Sequence, residues 1–243
     1  MKELWNAVAY KPLHNALIGL VAFIPGHSVA LAIIILTIAV KSALLPLTSK
    51  SSRAQKAMKA LEPEMKAIKE QYKDKKEEQA RAAMELYQKH GVNPFSGCLP
   101  ILVQLPFIIA LYYVFWKGLS LDPAQLYSFT PLPETLNFSF LGIDISQKSI
   151  VLALCAGLTQ FTQAQLTMPD PFSKKEEEKK EPTFQDDLQR SMQLQMKYIL
   201  PVMIGFFAYS ISAAVALYWT VGNMVTISQE IYLKRKYKSV SSK

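Results

Sequence analysis

The chain has 243 residues, half of them hydrophobic, yet its mean hydropathy is only +0.12 and its net charge is +8. Apolar runs alternate with charge-dense stretches, a polytopic membrane pattern that excludes one soluble globular core. Two cysteines, Cys98 and Cys155, and three scattered histidines, His14, His27 and His90, exclude a disulfide framework and a metal-ligand cluster.

No Gly-rich phosphate loop, nucleophile elbow or HExxH is present, so neither an enzyme nor a cofactor is expected. The basic balance suits an anionic membrane surface and an RNA-rich partner, and nothing points to DNA.

Residues 1–28 read as an amphipathic helix in the membrane interface, with Trp5, Tyr10, Leu13 and Leu17 on its apolar face. Ala16 to Ile24 is too short to span, and Lys2 and Lys11 mimic a signal peptide. A cleaved signal would leave almost nothing before the first span, so the interfacial helix is preferred. Pro25-Gly26 then turns the chain.

The first span covers 29–48, where the apolar run from Val29 to Leu47 approaches the about 20 residues that cross a bilayer at ~1.5 Å per residue. It contains Lys41, with Thr37 four residues earlier on the same helical face. A charge at mid-helix costs roughly 2.5–3.5 kcal/mol on insertion scales, so it usually faces protein or water. For an isolated helix, snorkelling to the headgroups is the simpler account. The remaining sequence favours a polar site inside the membrane.

Residues 49–97 read as a cytosolic helical hairpin. Ala54, Met58, Leu61, Met65, Ile68 and Tyr72 recur at spacings of four and three. Pro63 starts a new helix after Glu62, and Asp74 to Glu77 form a turn and cap. Ala80, Ala83, Met84 and Tyr87 supply a second apolar face, which Gly91 to Pro94 end. A coiled coil that satisfies itself explains the packing. It does not explain why the chain projects a hairpin, so docking is expected, with Met58, Met65, Met84 and Tyr87 as recruiting residues.

The second span, 98–117, holds Pro100, Gln104 and Pro106, and an extracytoplasmic loop, 118–147, follows. The third span, 148–167, carries Thr159, Gln160, Thr162, Gln163 and Gln165. Residues 168–195 are a flexible cytosolic loop of mixed charge and proline. The fourth and fifth spans share 196–231 as a hairpin joined at Ser210 to Ser212, and 232–243 is a basic tail. Neighbouring helices make Pro100, Pro106 and Pro201 tolerable.

Charge sets the direction. Stretches 49–97, 168–197 and 232–243 hold 22 of the 27 basic residues, while 118–147 holds none and carries Asp122, Glu134 and Asp144. Five spans put every basic stretch on one side, with the N-terminus out and the C-terminus in.

The fifth span also carries Tyr218, Trp219, Thr220, Asn223 and Thr226, with Trp219 and Asn223 sharing a face. Polar pairs at membrane depth commonly join helices, at roughly 0.6 kcal/mol each. Asp and Glu are absent from every span interior, Glu230 lying at the end of the last. An unpaired Lys41 therefore calls for a hydrated cavity or a ligand that brings negative charge.

Four stretches, ILTIAVKSALLPLTSKSS, LEPEMKAIKEQY, HGVNPFSGCLPILVQLPFIIALYYV and ALYWTVGNMVTISQEIYLKRK, resemble the YidC/Oxa/Alb membrane-protein insertases in order, spacing and loop polarity. The resemblance runs from about Lys11 to Tyr237. It implies an all-α core of five transmembrane helices, without the anchor helix and large periplasmic domain of Gram-negative members. It also implies a hydrophilic groove open to cytosol and lipid. Lys41 occupies the position of the groove's basic residue, which many members fill with arginine. Lysine keeps the charge and loses the planar fork. Thr37 matches a groove threonine and Trp219 an aromatic groove residue. Gln160 and Gln163 both remain open as the third span's contribution. Asn223 joins them as a candidate. Residues 51–90 match the hairpin required for insertion, while 169–187 has no close counterpart.

The function implied is insertion of nascent membrane proteins into the bacterial plasma (inner) membrane. Lipids, the ribosome, the Sec translocon and the signal-recognition pathway are the implied partners. The alternative is a small ion or solute transporter with Lys41 as coupling charge, although internal repeats and paired broken helices are not evident. A scaffold that only assembles other membrane proteins is a third.

Overall fold

The computed structural model describes residues 5–72, 75–93, 99–116, 119, 121–122, 125–167, 191 and 193–240. The loop expected at 168–195 lies almost wholly outside the described residues. The fold is mostly helical and divides into two compact units, Met1–Lys41 with Ile109–Lys243, and Ser42–Ile108.

In the first unit a π-helical stretch, Asn6–Tyr10, runs into α1, Lys11–Phe23. The expected apolar residues Tyr10, Leu13 and Leu17 are buried together with Ile18 and Val21. Tyr10, Leu17, Ile18 and Val21 pack in the core of this unit. Asn15, also buried, uses its whole amide. It donates to Lys11 O at 2.8 Å and Gln125 O at 3.1 Å, and accepts from Tyr127 N and Thr130 Oγ1, both at 2.7 Å. Four bonds satisfy a group that would be costly if buried alone, and they pin the 125–130 loop to α1.

Gly26 and His27 adopt positive φ, 76° and 50°, turning the chain into α2, Val29–Ala43. The expected single span over 29–48 is divided. The helix ends at Ala43, and α3 begins at Leu45. Pro46 supplies the reason. It has no N–H for a continuing helix, and its ring clashes with the carbonyl four residues back, but it is tolerated in a first turn.

The segment between α6 (Leu99–Trp116) and α7 (Ile150–Thr167) is tied down on several sides. Val29 N donates to Asn137 O at 2.9 Å, and Asn137 N to His27 O at 3.0 Å. A two-stranded hairpin, β1 (Ser139–Phe140) and β2 (Ile143–Asp144), turns at Leu141 and Gly142, both with positive φ. Beyond it, Gln147 O and Ile145 O accept from Ala213 N at 2.8 Å and Ala214 N at 2.9 Å. These carbonyls satisfy amides that a helix N-terminus cannot pair internally, here the start of a long helix.

A π-helical stretch, Gln195–Ile199, continues into α8, Leu200–Ile211, and only Ser212 separates α8 from α9, Ala213–Val240. The hairpin is thus tighter than the three residues expected, and its second arm runs further. α7 and α8 cross at two glycines. A Cβ on Gly157 would meet Pro201 O at 3.3 Å and Gly205 Cα at 3.6 Å. Small residues there let the two backbones touch.

In the second unit, α3 (Leu45–Ala60), α4 (Glu62–Gln71) and α5 (Lys76–Lys89) form the predicted hairpin, with its first arm interrupted at Leu61. Pro63 lies in the first turn of α4, as expected. Residues 73–74 of the expected turn lie outside the described residues. Among the described residues no side chain caps the start of α5, although Lys75 Nζ reaches Glu78 at 2.9 Å. Gly91, at φ 63°, closes α5, with Val92 N donating to Tyr87 O at 2.9 Å.

Among the described residues, Ile150–Thr167 alone is by itself long and apolar enough to cross a bilayer, and Val29–Ala43 with Leu45–Ser51 passes only as a pair. α6 runs inside the second span expected over 98–117, whose two end residues lie outside the described residues, and α7 begins two residues inside the third, expected over 148–167.

Candidate functional site

The site is built on three helices of the first unit. On α2, Thr37 is buried and its hydroxyl donates to Ile33 O at 2.6 Å. That bond satisfies the hydroxyl without a partner from another helix. One turn later, in the last turn of α2, Lys41 is half-buried. No carboxylate among the described residues forms an ion pair with it.

Both side chains rest against α9 at Gly222. A Cβ built there would stand 3.3 Å from Lys41 Cε, 3.9 Å from its Nζ and 3.9 Å from Thr37 Cγ2. Lys41 and Thr37 therefore share one small area of bare helix backbone.

Trp219 lies three residues before Gly222 and four before Asn223, so it shares a face of α9 with each of them. This face also meets α7. Trp219 Nε1 donates to Gln160 Oε1 at 3.0 Å, and Asn223 Nδ2 donates to Thr159 Oγ1 at 3.2 Å. Thr159 in turn donates to Cys155 O at 2.7 Å. Asn223 is buried, while Trp219, Gln160 and Thr159 are half-buried.

Five of the six groove candidates thus converge, with α9 as the shared wall between α2 and α7. Of the two glutamines, Gln160 is the one bonded to α9. Gln163, about a turn further along α7, is half-buried and makes no such bond to α9. Two participants were not predicted for the site. Thr159 is one of several polar residues on its helix, and nothing in the spacing distinguishes it. Gly222 leaves a weak signal, an interior helical glycine three residues after a tryptophan.

The recruiting residues of the hairpin are dispersed. Met58, Met65 and Tyr87 are half-buried, and burial pushes the Tyr87 phenol above its ordinary pKa. Met84 is turned outward at 45% exposure, and Ala80 is exposed too. Leu61 and Leu86 are the buried anchors instead. The second apolar face is therefore rotated from the predicted one, toward Ala82, Ala83 and Leu86. Leucine has the larger apolar area to gain from that position.

Among the described residues no group of three His, Cys, Asp or Glu could hold a metal ion. The site offers an ammonium, two amides, hydroxyls and an indole, which can hydrate or hold a polar chain and carry no nucleophile with an adjacent base.

Sequence comparison gives the site its context. The profile of a family described as 60Kd inner membrane protein matches residues 20–240. The membrane protein insertase MisCA of Bacillus subtilis is 36% identical over 236 residues, which cover 95% of this chain and 79% of that protein. The membrane protein insertase YidC of Oceanobacillus iheyensis is 32% identical over 237 residues, 96% of this chain and 84% of that protein. A third similar protein, the membrane protein insertase YidC of Stutzerimonas stutzeri, is 34% identical over 210 residues. These cover 86% of this chain and 32% of that longer protein.

Proposed function

The chain belongs to the 60Kd inner membrane protein family, and we propose that it is a membrane protein insertase that moves hydrophobic nascent segments from the cytosol into the bilayer. The observation that carries the mechanism is the polar seam in which Lys41 and Thr37 meet α9 at Gly222 while Trp219 and Asn223 bond α7. The seam lines a hydrophilic groove. A client's polar tail, often acidic, rests there beside the Lys41 ammonium. This lowers the cost of carrying the tail partway across, because a charge in lipid without a partner is expensive.

The apolar part of the client leaves along the outside of α7. Ile150, Val151, Leu154 and Leu158 form an exposed apolar stripe on that helix, suited to lipid or to a passing apolar segment. Burial of about 20 apolar residues at ~25 cal/mol per Å² drives the exit. The membrane potential assists an acidic tail.

Five spans, in α2, α6, α7, α8 and α9, fit the basic asymmetry with the N-terminus out and the C-terminus in. α1 lies at the outer interface. The hairpin of α3 to α5 projects into the cytosol, where the ribosome, the Sec translocon and the signal-recognition pathway are its partners. The chain works without enzymatic chemistry or a cofactor.

The test is reconstitution of the purified full chain in liposomes with a single-span client and no other protein, read by protease protection of the tail. Insertion above protein-free liposomes is expected. A chain that binds the client without inserting it is a scaffold. Uptake of a labelled solute without insertion marks a transporter.

A further inference from the structure

We infer that Gly222 is a positioning residue for the Lys41 ammonium, an inference that rests on the insertase reading. Gly222 is buried inside a 28-residue helix, where glycine is among the least favourable residues. Its neighbours show what the missing side chain accommodates. At Gly157 and Gly205 the nearest atoms belong to the backbone of the facing helix, so those glycines permit a close crossing. At Gly222 the three nearest atoms are all side-chain atoms, and two of them are Cε and Nζ of Lys41.

The charged end of the lysine therefore lies over bare backbone. A lysine stem has four rotatable carbons and no planar fork to direct its charge. Its direction must come from packing, and the open space at 222 is what its last methylene packs into. An alanine there meets Cε at 3.3 Å, which the flexible stem can relieve by a small shift. A leucine takes the space of Cε and Nζ and turns the ammonium out of the seam.

The experiment uses the full chain in proteoliposomes and two single-span clients that differ only in the translocated tail, acidic or neutral. The readout is the acidic-to-neutral insertion ratio. Gly222→Leu should lower this ratio roughly ten-fold, the effect of moving a unit charge from about 4 to about 6 Å from its partner at an effective dielectric near 20. Gly222→Ala should change it far less. In the Lys41→Ala background Gly222→Leu should leave the ratio where Lys41→Ala alone puts it, because it acts through the same group. Further loss in that background shows ordinary structural damage and overturns the inference. Gly222→Val, of smaller volume, replaces the leucine variant if that protein does not accumulate.

A ratio unchanged by Gly222→Leu or Gly222→Val, with Lys41→Ala lowering it, removes Gly222 and leaves the insertase reading standing. If the unmodified chain inserts neither client, both fall.

Discussion

The indole N–H of Trp219 reaches Gln160 Oε1 at 3.0 Å, joining two helices across 59 positions of sequence. One turn further on, Asn223 repeats the link through Thr159 at 3.2 Å. α9 is thus bonded to α7 through Trp219 and Asn223 while it supports Lys41 at the nearby Gly222. α7 and α9 form a hydrogen-bonded pair of helices.

That link should be measurable as a coupling. Trp219→Phe keeps the ring and removes the donor, and Gln160→Leu removes the acceptor. A double-mutant cycle on unfolding in mixed micelles should give about 0.6 kcal/mol, the average for polar pairs within membrane proteins. Strict additivity would show that the bond does not hold the helices together.

Lys41 is expected to act through charge. Lys41→Ala should impair insertion of clients with acidic translocated tails and spare neutral tails more, while Lys41→Arg should keep activity. A lysine that merely snorkels predicts lower expression and no dependence on client charge. A reconstituted assay at matched protein levels decides. Equal insertion of acidic tails by Lys41→Ala and the unmodified chain would leave the work to Thr37, Gln160 and Trp219.

The cytosolic hairpin should matter to function more than to folding. Leu61, at the break before α4, and Leu86, on α5, are buried in the second unit, Ser42–Ile108, a compact body of its own. Replacing 63–90 by a short linker should leave the chain in the membrane and abolish insertion, measured by membrane fractionation and protease protection. Full activity after the deletion rules out a recruiting role.

Orientation follows from the absence of basic residues between 118 and 147. A single cysteine at Ala80 should react with an impermeant maleimide only from the cytosolic side, and one at Glu134 only from outside. Labelling of both positions from the same face would overturn the five-span arrangement.

The hydropathy pattern alone marked out α6 and α7 to within two residues of their described ends, because an apolar run bounded by polar and charged residues limits where a helix can begin and stop. It also singled out Lys41, Thr37, Trp219 and Asn223, since polar groups inside apolar runs are conspicuous. The break before Leu45 was hidden behind Pro46, because a proline in a span can bend a helix, divide it or be absorbed, and only neighbouring packing selects among these.

The phase of the hairpin's second face is hidden in the sequence for a related reason. Methionine and leucine score alike in a periodic stripe, and contact with the opposing arm put Leu86 inward and Met84 outward. The sequence by itself determined the chemistry available to this chain: one ammonium, a few amides and hydroxyls, and apolar helices around them. Only the tertiary structure decided that Gln160 bonds Trp219, that Thr159 bonds Asn223, and that a glycine lies under Lys41. Helical spacing fixes which residues share a face of one helix. Which face meets which neighbour depends on the rotation and closeness of packed helices, and those are set jointly by many side chains far apart in the sequence.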